Sequence, residues 1–185
     1  MIIAGVGSLL VSTYAVDGDE HFDRTAVALF ERDDDGVTFG LVLNRPAGVP
    51  AAEVLEDADE LLIDPDEECF YGGPVVGEHV VLAEFADRNG VELLAVRDGV
   101  PAEMARPRPW LYEGIGIVLA TLEDPAALRP RLVRTRLFLG LSCWAPGQLE
   151  EEAQRGMWRV APMSADALFC AEPEALHEQL LARTR

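Results

Sequence analysis

Lysine is absent from this 185-residue sequence; all 15 basic residues are arginine, and they face 33 acidic ones for a formal charge of -18. Such a field opposes phosphate backbones, because non-specific nucleic-acid binding draws on counterions released by a basic surface. A local arginine patch is still compatible with it, so DNA binding is disfavoured rather than excluded. The simplest account of the imbalance is a solvated acidic surface combined with arginine-biased codon usage. Cysteine is scarce: Cys69, Cys143 and Cys170 make an odd count with no Cys-x-x-Cys. That argues against a disulfide framework or a zinc site and for a reducing compartment. His21, His79 and His177 are widely spaced and fit no metal-ligand pattern, so no metal and no cofactor are expected. No apolar run approaches the ~20 residues needed to cross a bilayer, and Met1–Gly7 lacks the basic lead-in of a signal peptide. The expected location is the cytoplasm, with no membrane partner. A Rossmann fingerprint, a phosphate-binding loop and a Gly-x-Ser-x-Gly elbow are all missing.

What is present is ordinary globular material, 49% apolar and 26% charged. A chain of this length is usually one domain and buries ~70% of its unfolded surface, so residues 1–185 are expected to form a single domain. Gly7–Thr13 and Thr25–Glu31 are apolar and β-branched, as strands are. Asp33–Gly36 is a turn leading into Val37–Leu43, which closes a hairpin. Asn44-Arg45-Pro46 stops that strand, and Ala51–Leu55 is a short helix with Pro50 in its first turn. Cys69–Tyr71 runs into Gly72-Gly73-Pro74. His79–Phe85 and Val91–Val96 are expected to pair across Asn89-Gly90. Arg106–Trp110 should be irregular, Ile115–Leu119 a strand, and Asp124–Leu128 a short helix. Leu137–Leu141 and Trp158–Pro162 are strands flanking a helix over Pro146–Arg155 that ends at Gly156. Ser164 caps a short helix to Leu168, and Pro173–Arg183 is the terminal helix. Strands outnumber helices without strict alternation, which favours α+β: a coiled mixed sheet or partial barrel with short peripheral helices.

Three strand ends share a rigid turn: Asn44-Arg45-Pro46, Gly72-Gly73-Pro74, and Trp144 to Glu150. Any one of them is most simply architectural. As a set they define a candidate cleft or ligand-binding site comprising Asn44, Arg45, Gly72, Gly73, Trp144, Gln148, Glu150 and Glu152. Arg45 offers a bidentate fork for a carboxylate or phosphate. Gln148 and Glu152 lie one helical turn apart and share a face. Glu150 and Glu151 fall near a helix N-terminus, where the dipole favours negative charge. No catalytic residue is assigned. The histidines are expected to be structural or superficial, and Cys143 is expected to be a small core residue.

The same motifs carry a resemblance to the YqgE/AlgH family of bacterial proteins. The residues are Gly7–Thr13, Phe22–Val27, Gly40–Pro46 with its Leu-Asn-Arg-Pro, Gly72-Gly73-Pro74-Val75, Trp144–Glu152 with its Pro-Gly-Gln-Leu-Glu, and Gly156-Met157-Trp158. They occur in family order along essentially the full length; the segment Glu84–Val118 matches loosely, and Leu141-Ser142-Cys143 departs from the usual lead-in to the Trp. The resemblance implies a compact α+β domain with a partly bifurcated mixed sheet in the cytosol. It carries no established catalytic residues, and some members are labelled transcriptional regulators. The foremost expectation is a non-enzymatic binding or regulatory module acting on an unknown protein or small-molecule partner. The alternatives are an enzyme with a site at the three turns, and a transcriptional regulator, which the charge disfavours.

Overall fold

The computed structural model describes residues 5–55, 62–87, 94–95, 106–107, 110–118 and 128–184. Among them the strands are β1 (Ser8–Ser12), β2 (Ala26–Arg32), β3 (Thr38–Val42), β4 (Pro46–Pro50), β5 (Glu68–Tyr71), β6 (Val75–Phe85), β7 (Leu94–Ala95), β8 (Arg106–Pro107), β9 (Ile115–Val118), β10 (Leu132–Trp144) and β11 (Trp158–Pro162). The α-helices are α1 (Gln148–Gln154), α2 (Ala165–Leu168) and α3 (Pro173–Arg183).

β10 is the spine. Leu132 to Leu141 runs antiparallel to β6, Ser142–Trp144 runs antiparallel to β3, and within the β6-paired part Phe138 and Leu139 also lie parallel to β5. The resulting 9-stranded sheet follows the order β11-β1-β2-β3-β10-β5-β4, with β6 beside β10 and β9 beside β6. This is the α+β, forked mixed sheet that the motifs implied. β10 extends beyond the expected Leu137–Leu141 because Arg134 and Arg136 interrupt its apolar character before the core is reached.

β1 shows why the sheet's first strands read as continuous apolar runs. Successive side chains of a strand point to opposite faces. Leu9 and Val11 join one core cluster with Leu168, Leu176 and Leu180 of α2 and α3. Leu10 joins another with Trp144, Leu149 of α1 and Trp158. Both faces are covered, so alternation disappears. The β2–β3 hairpin forms as expected: Asp33 Oδ1 accepts from the Asp35 and Val37 amides at 3.0 and 2.8 Å, and Gly36 takes φ +87°.

Other local expectations change. β6 pairs with β10 and, through Val81–Glu84, with β9. The expected turn at Asn89-Gly90 and most of its second strand, residues 88–93 and 96, lie outside the described residues, while Leu94–Ala95 pairs with Arg106–Pro107. The expected irregularity at Arg106–Trp110 is therefore interrupted by β8. Asn44-Arg45 ends β3, but Pro46 immediately opens β4, an edge strand where a missing amide proton is tolerated. Ala51–Leu55 shortens to a single 3₁₀ turn, Ala51–Glu53, with Pro50 as its cap. Of the helix expected over Asp124–Leu128, residues 124–127 lie outside those described.

Where β5 approaches β10, the Thr135 hydroxyl donates to Glu67 Oε2 at 2.9 Å. Burial pushes the Glu67 carboxyl above the usual carboxylate range, while the Thr135 bond and the Arg136 guanidinium pull it back. A raised folded-state pKa means that folding favours the protonated form. This group's contribution is full below the unfolded-state pKa and is lost as pH rises through the folded one. Glu67→Gln keeps an acceptor for Thr135 without the charge. It should therefore be more stable than wild type at neutral pH, by less than about 1 kcal/mol, with the advantage vanishing in acid. Urea unfolding at both pH values measures this.

Candidate functional site

The Asn44-Arg45 turn is fully engaged with the loop between β1 and β2. Asn44 Oδ1 accepts from the Ala26 amide and Nδ2 donates to the Arg24 carbonyl, both at 2.9 Å. Arg45 donates from Nη1 to the Glu20 carbonyl at 2.9 Å and from Nη2 to the Asp23 carbonyl at 3.1 Å. Asp19 Oδ1 pins the same loop by accepting from the His21 and Phe22 amides at 2.9 and 2.8 Å. Held at both ends, Arg24 adopts φ +52°, the left-handed region that non-glycine residues seldom occupy.

Gly72-Gly73 is a backbone crossing. Gly72 donates its amide to the Leu139 carbonyl at 2.8 Å, and its own carbonyl accepts from the Val42 amide at 2.9 Å and the Ser142 hydroxyl at 3.2 Å. The Tyr71 amide donates to the Arg45 carbonyl at 2.8 Å, which joins this crossing to the Asn44-Arg45 turn.

At the third turn, the Glu152 carboxylate accepts three hydrogen bonds. Oε2 takes the indole N–H groups of Trp144 and Trp158 at 2.9 and 2.8 Å, and Oε1 takes Gln148 Nε2 at 2.8 Å. Gln148 Oε1 in turn accepts from the Ala145 amide at 3.0 Å. Trp144 is 1% exposed and stacks on Phe22, with centroids 5.8 Å apart. That contact brings the third turn against the loop that Arg45 holds. Glu150 faces Arg32 instead, at 2.6 Å, and this bond holds its carboxyl below the usual range. The shared face of Gln148 and Glu152 was legible from spacing; the two indole partners of Glu152 were not.

Cys143 is exposed, contrary to expectation, because strand alternation turns the neighbouring Ser142 and Trp144 inward. Desolvation and the Asp33 carboxylate push its thiol up, so it is a poor nucleophile. Among the described residues no three His, Cys, Asp or Glu side chains gather as metal ligands would. No described helix is long and apolar enough to cross a membrane.

An open groove of about 660 Å³ lies between the Ser12–Arg24 segment and α3; none of the eight expected cleft residues lines it, and the Asn44-Arg45 turn reaches it only through Asp23 and Arg24. Ser12, Tyr14, Asp17, Asp23 and Arg24 line one side; Arg159, His177, Glu178, Leu181 and Ala182 line the other. Arg24 Nη2 meets Glu178 Oε1 across it at 2.5 Å. Both side chains are more than half exposed, so the pair contributes at most ~1 kcal/mol. His177 is buried, with Nε2 2.9 Å from the Ser12 carbonyl and 3.3 Å from Ser12 Oγ. A carbonyl only accepts, so Nε2 carries the proton and cannot draw one from the hydroxyl. Ser12 Oγ meanwhile accepts from the Thr25 amide at 2.8 Å. The pair is a tether for α3, not an activated nucleophile. One signal in the sequence marks His177, its place between Leu176 and Leu180 on the helix's buried side.

The chain's similarities run along its full length. The AlgH-like family model matches residues 9–185. A UPF0301 protein of Streptomyces coelicolor is 34% identical over 180 residues, covering 97% of this chain and 86% of the relative. One from Thermobifida fusca is 34% identical over 178 residues, covering 96% and 85%. A crystal structure of a Corynebacterium diphtheriae protein superposes with a TM-score of 0.74 at 23% identity, covering 100% of this chain and 89% of the other. The solution structure of AlgH from Pseudomonas aeruginosa gives 0.63 at 23% identity, covering 100% and 92%. With the fold, the motif order and the sequence match in agreement, this chain belongs to the AlgH-like, UPF0301 family.

Proposed function

We propose that the protein is a non-enzymatic binding or regulatory module of the cytoplasm, and that its contact surface is the groove between the Ser12–Arg24 segment and α3. The observation that carries this is the backbone of Arg24. It is held at φ +52° by Asn44 and Arg45, and it presents its side chain to the groove. Strained non-glycine residues persist where the surroundings over-determine them, commonly at ligand sites. On this reading, Asn44 and Arg45 act as positioning residues for the groove wall. Gly72, Gly73, Trp144, Gln148 and Glu152 hold the sheet and α1 that support it, and Glu150 ties α1 to Arg32.

The side chains favour binding over catalysis. His177 and Ser12 do not form a base–nucleophile couple, as argued from their hydrogen bonds. Tyr71 accepts or donates to His21 Nδ1 at 2.9 Å, but burial pushes its phenol up, away from nucleophilic use. The -18 charge and the three free cysteines fit an intracellular acidic protein without nucleic-acid contacts. No mobility shift with duplex DNA is expected even at low salt, where electrostatic binding is strongest.

A fragment screen followed by amide chemical shifts tests the reading. Hits should move the signals of Ser12–Asp17, Asp23–Arg24 and His177–Ala182. Hits that instead cluster on Ala145–Glu152, or none that touch the groove, would refute it. Arg45→Ala should weaken groove hits about tenfold, an effect of ~1.4 kcal/mol, by freeing the Glu20 and Asp23 carbonyls.

A further inference from the structure

The groove's polar groups are unevenly satisfied. Its cations already have oxygen partners: Arg24 meets Glu178, and Arg159 Nη1 donates to the Thr184 carbonyl at 2.8 Å. Two of its carboxylates do not. The Asp17 and Asp23 carboxylates have no hydrogen bond or ion pair among the described residues. His177, 7% exposed, borders the groove; its Nδ1, an acceptor when Nε2 carries the proton, is buried and has no partner among the described residues. Alongside the two carboxylates lie Tyr14, 83% exposed, and the apolar Leu181 and Ala182.

We infer that the groove receives a basic segment of a partner polypeptide. Arginine or lysine side chains would lie against Tyr14 and Leu181 and direct their charges to Asp17, Asp23 and Glu178. The inference rests on the groove being the contact surface. Long cationic side chains suit such a site because their stems cover apolar surface while their heads reach acceptors. An aromatic face adds attraction for the cation. Entry costs only the exposed Arg24–Glu178 pair, since an incoming cation replaces Arg24 at Glu178. The -18 charge steers cationic partners toward the protein. An anionic ligand would have to displace Arg24 or Arg159 from existing partners while approaching two unpaired carboxylates.

The test uses fluorescence anisotropy with a labelled peptide alternating arginine and leucine, and a matched peptide with glutamate in place of arginine. Net charge alone attracts any basic peptide, so two double variants separate site from field. Asp17→Asn with Asp23→Asn neutralises the groove. Asp35→Asn with Asp66→Asn removes the same charge elsewhere. The groove variant should weaken binding of the basic peptide about tenfold and the control less than about twofold. Tyr14→Ala should cost about threefold. The Asp17, Asp23 and Glu178 amide signals should move on binding. Circular dichroism confirms that each variant is folded. Equal losses in the two double variants would overturn the inference, because binding would then follow the field. Preferential binding of the glutamate peptide would overturn it too, yet groove shifts in that case would leave the contact-surface reading intact. Failure of both peptides to shift groove amides would sink the inference, and the fragment screen decides the broader reading independently.

Discussion

Gly73→Ala is expected to abolish the native fold or to cost more than ~4 kcal/mol, a severe loss for a domain whose total stability is ~5–15 kcal/mol. Gly73 sits at φ +151°, in a region closed to residues with a Cβ. A methyl there would overlap the Leu141 carbonyl and Ser142 Oγ. Neither can retreat, since both belong to the spine strand β10, which is paired on both sides. The opposing residue is equally constrained. Gly140 takes φ +73° at a bulge between Leu139 and Leu141, and a methyl on it would meet the Gly73 and Val75 carbonyl oxygens. Displacing the crossing would also break the bonds that Gly72 makes to Leu139 and Val42. Gly77→Ala is the control: φ is +89°, but nothing lies within 4 Å of the added carbon. It should cost only the ~1–2 kcal/mol of a left-handed residue. Urea unfolding of both variants measures the difference. A Gly73→Ala protein within about 1 kcal/mol of wild type would show that the crossing is not tightly packed.

Glu152→Ala is expected to cost ~3–6 kcal/mol, from two bonds between indole donors and a charged acceptor worth ~1.5–3 kcal/mol each. The rings cannot turn outward to find water. Trp144 and Trp158 are 1% and 5% exposed, packed edge to face at 6.0 Å, and both contact Phe22. Glu152→Gln should fall between, at ~1–2 kcal/mol. If its carbonyl oxygen faces the indoles, its NH₂ meets Gln148 Nε2, a donor against a donor. Gln148 cannot flip without giving up the Ala145 amide. Equilibrium unfolding, with near-ultraviolet circular dichroism as a probe of the Trp cluster, checks the order wild type, Gln, Ala. An alanine variant as stable as wild type would mean that the indole bonds contribute little.

These two sites mark where sequence reading succeeds and where it stops. Turn chemistry is local, so Asp33–Gly36, the stop of α1 before Gly156 and the Ser164 cap were legible from a few neighbouring residues, while α1 starts at Gln148 rather than Pro146. The shared face of Gln148 and Glu152 followed from helical spacing alone. Trp158, by contrast, reaches Glu152 only after β11 has folded back beside β1. β6 finds its partners β10 and β9 across long stretches of chain, which no local signal encodes. Asn44-Arg45 was visible as a motif, but its action on Glu20, Asp23 and Arg24 is a tertiary contact that no spacing encodes. The groove has the same character: its walls come from the first and last parts of the chain and carry no motif in common.

With the groove as contact surface, Arg45 shapes it through the loop that it clamps. The most direct measurement is ligand-free: the amide chemical-shift differences between wild type and Arg45→Ala. Changes concentrated in Asp19–Thr25 and continuing to Ser12–Asp17 and His177–Ala182, with β10 and α1 undisturbed, are the predicted result. Changes confined to Pro46–Pro50 and β5, with the groove signals unmoved, would contradict it.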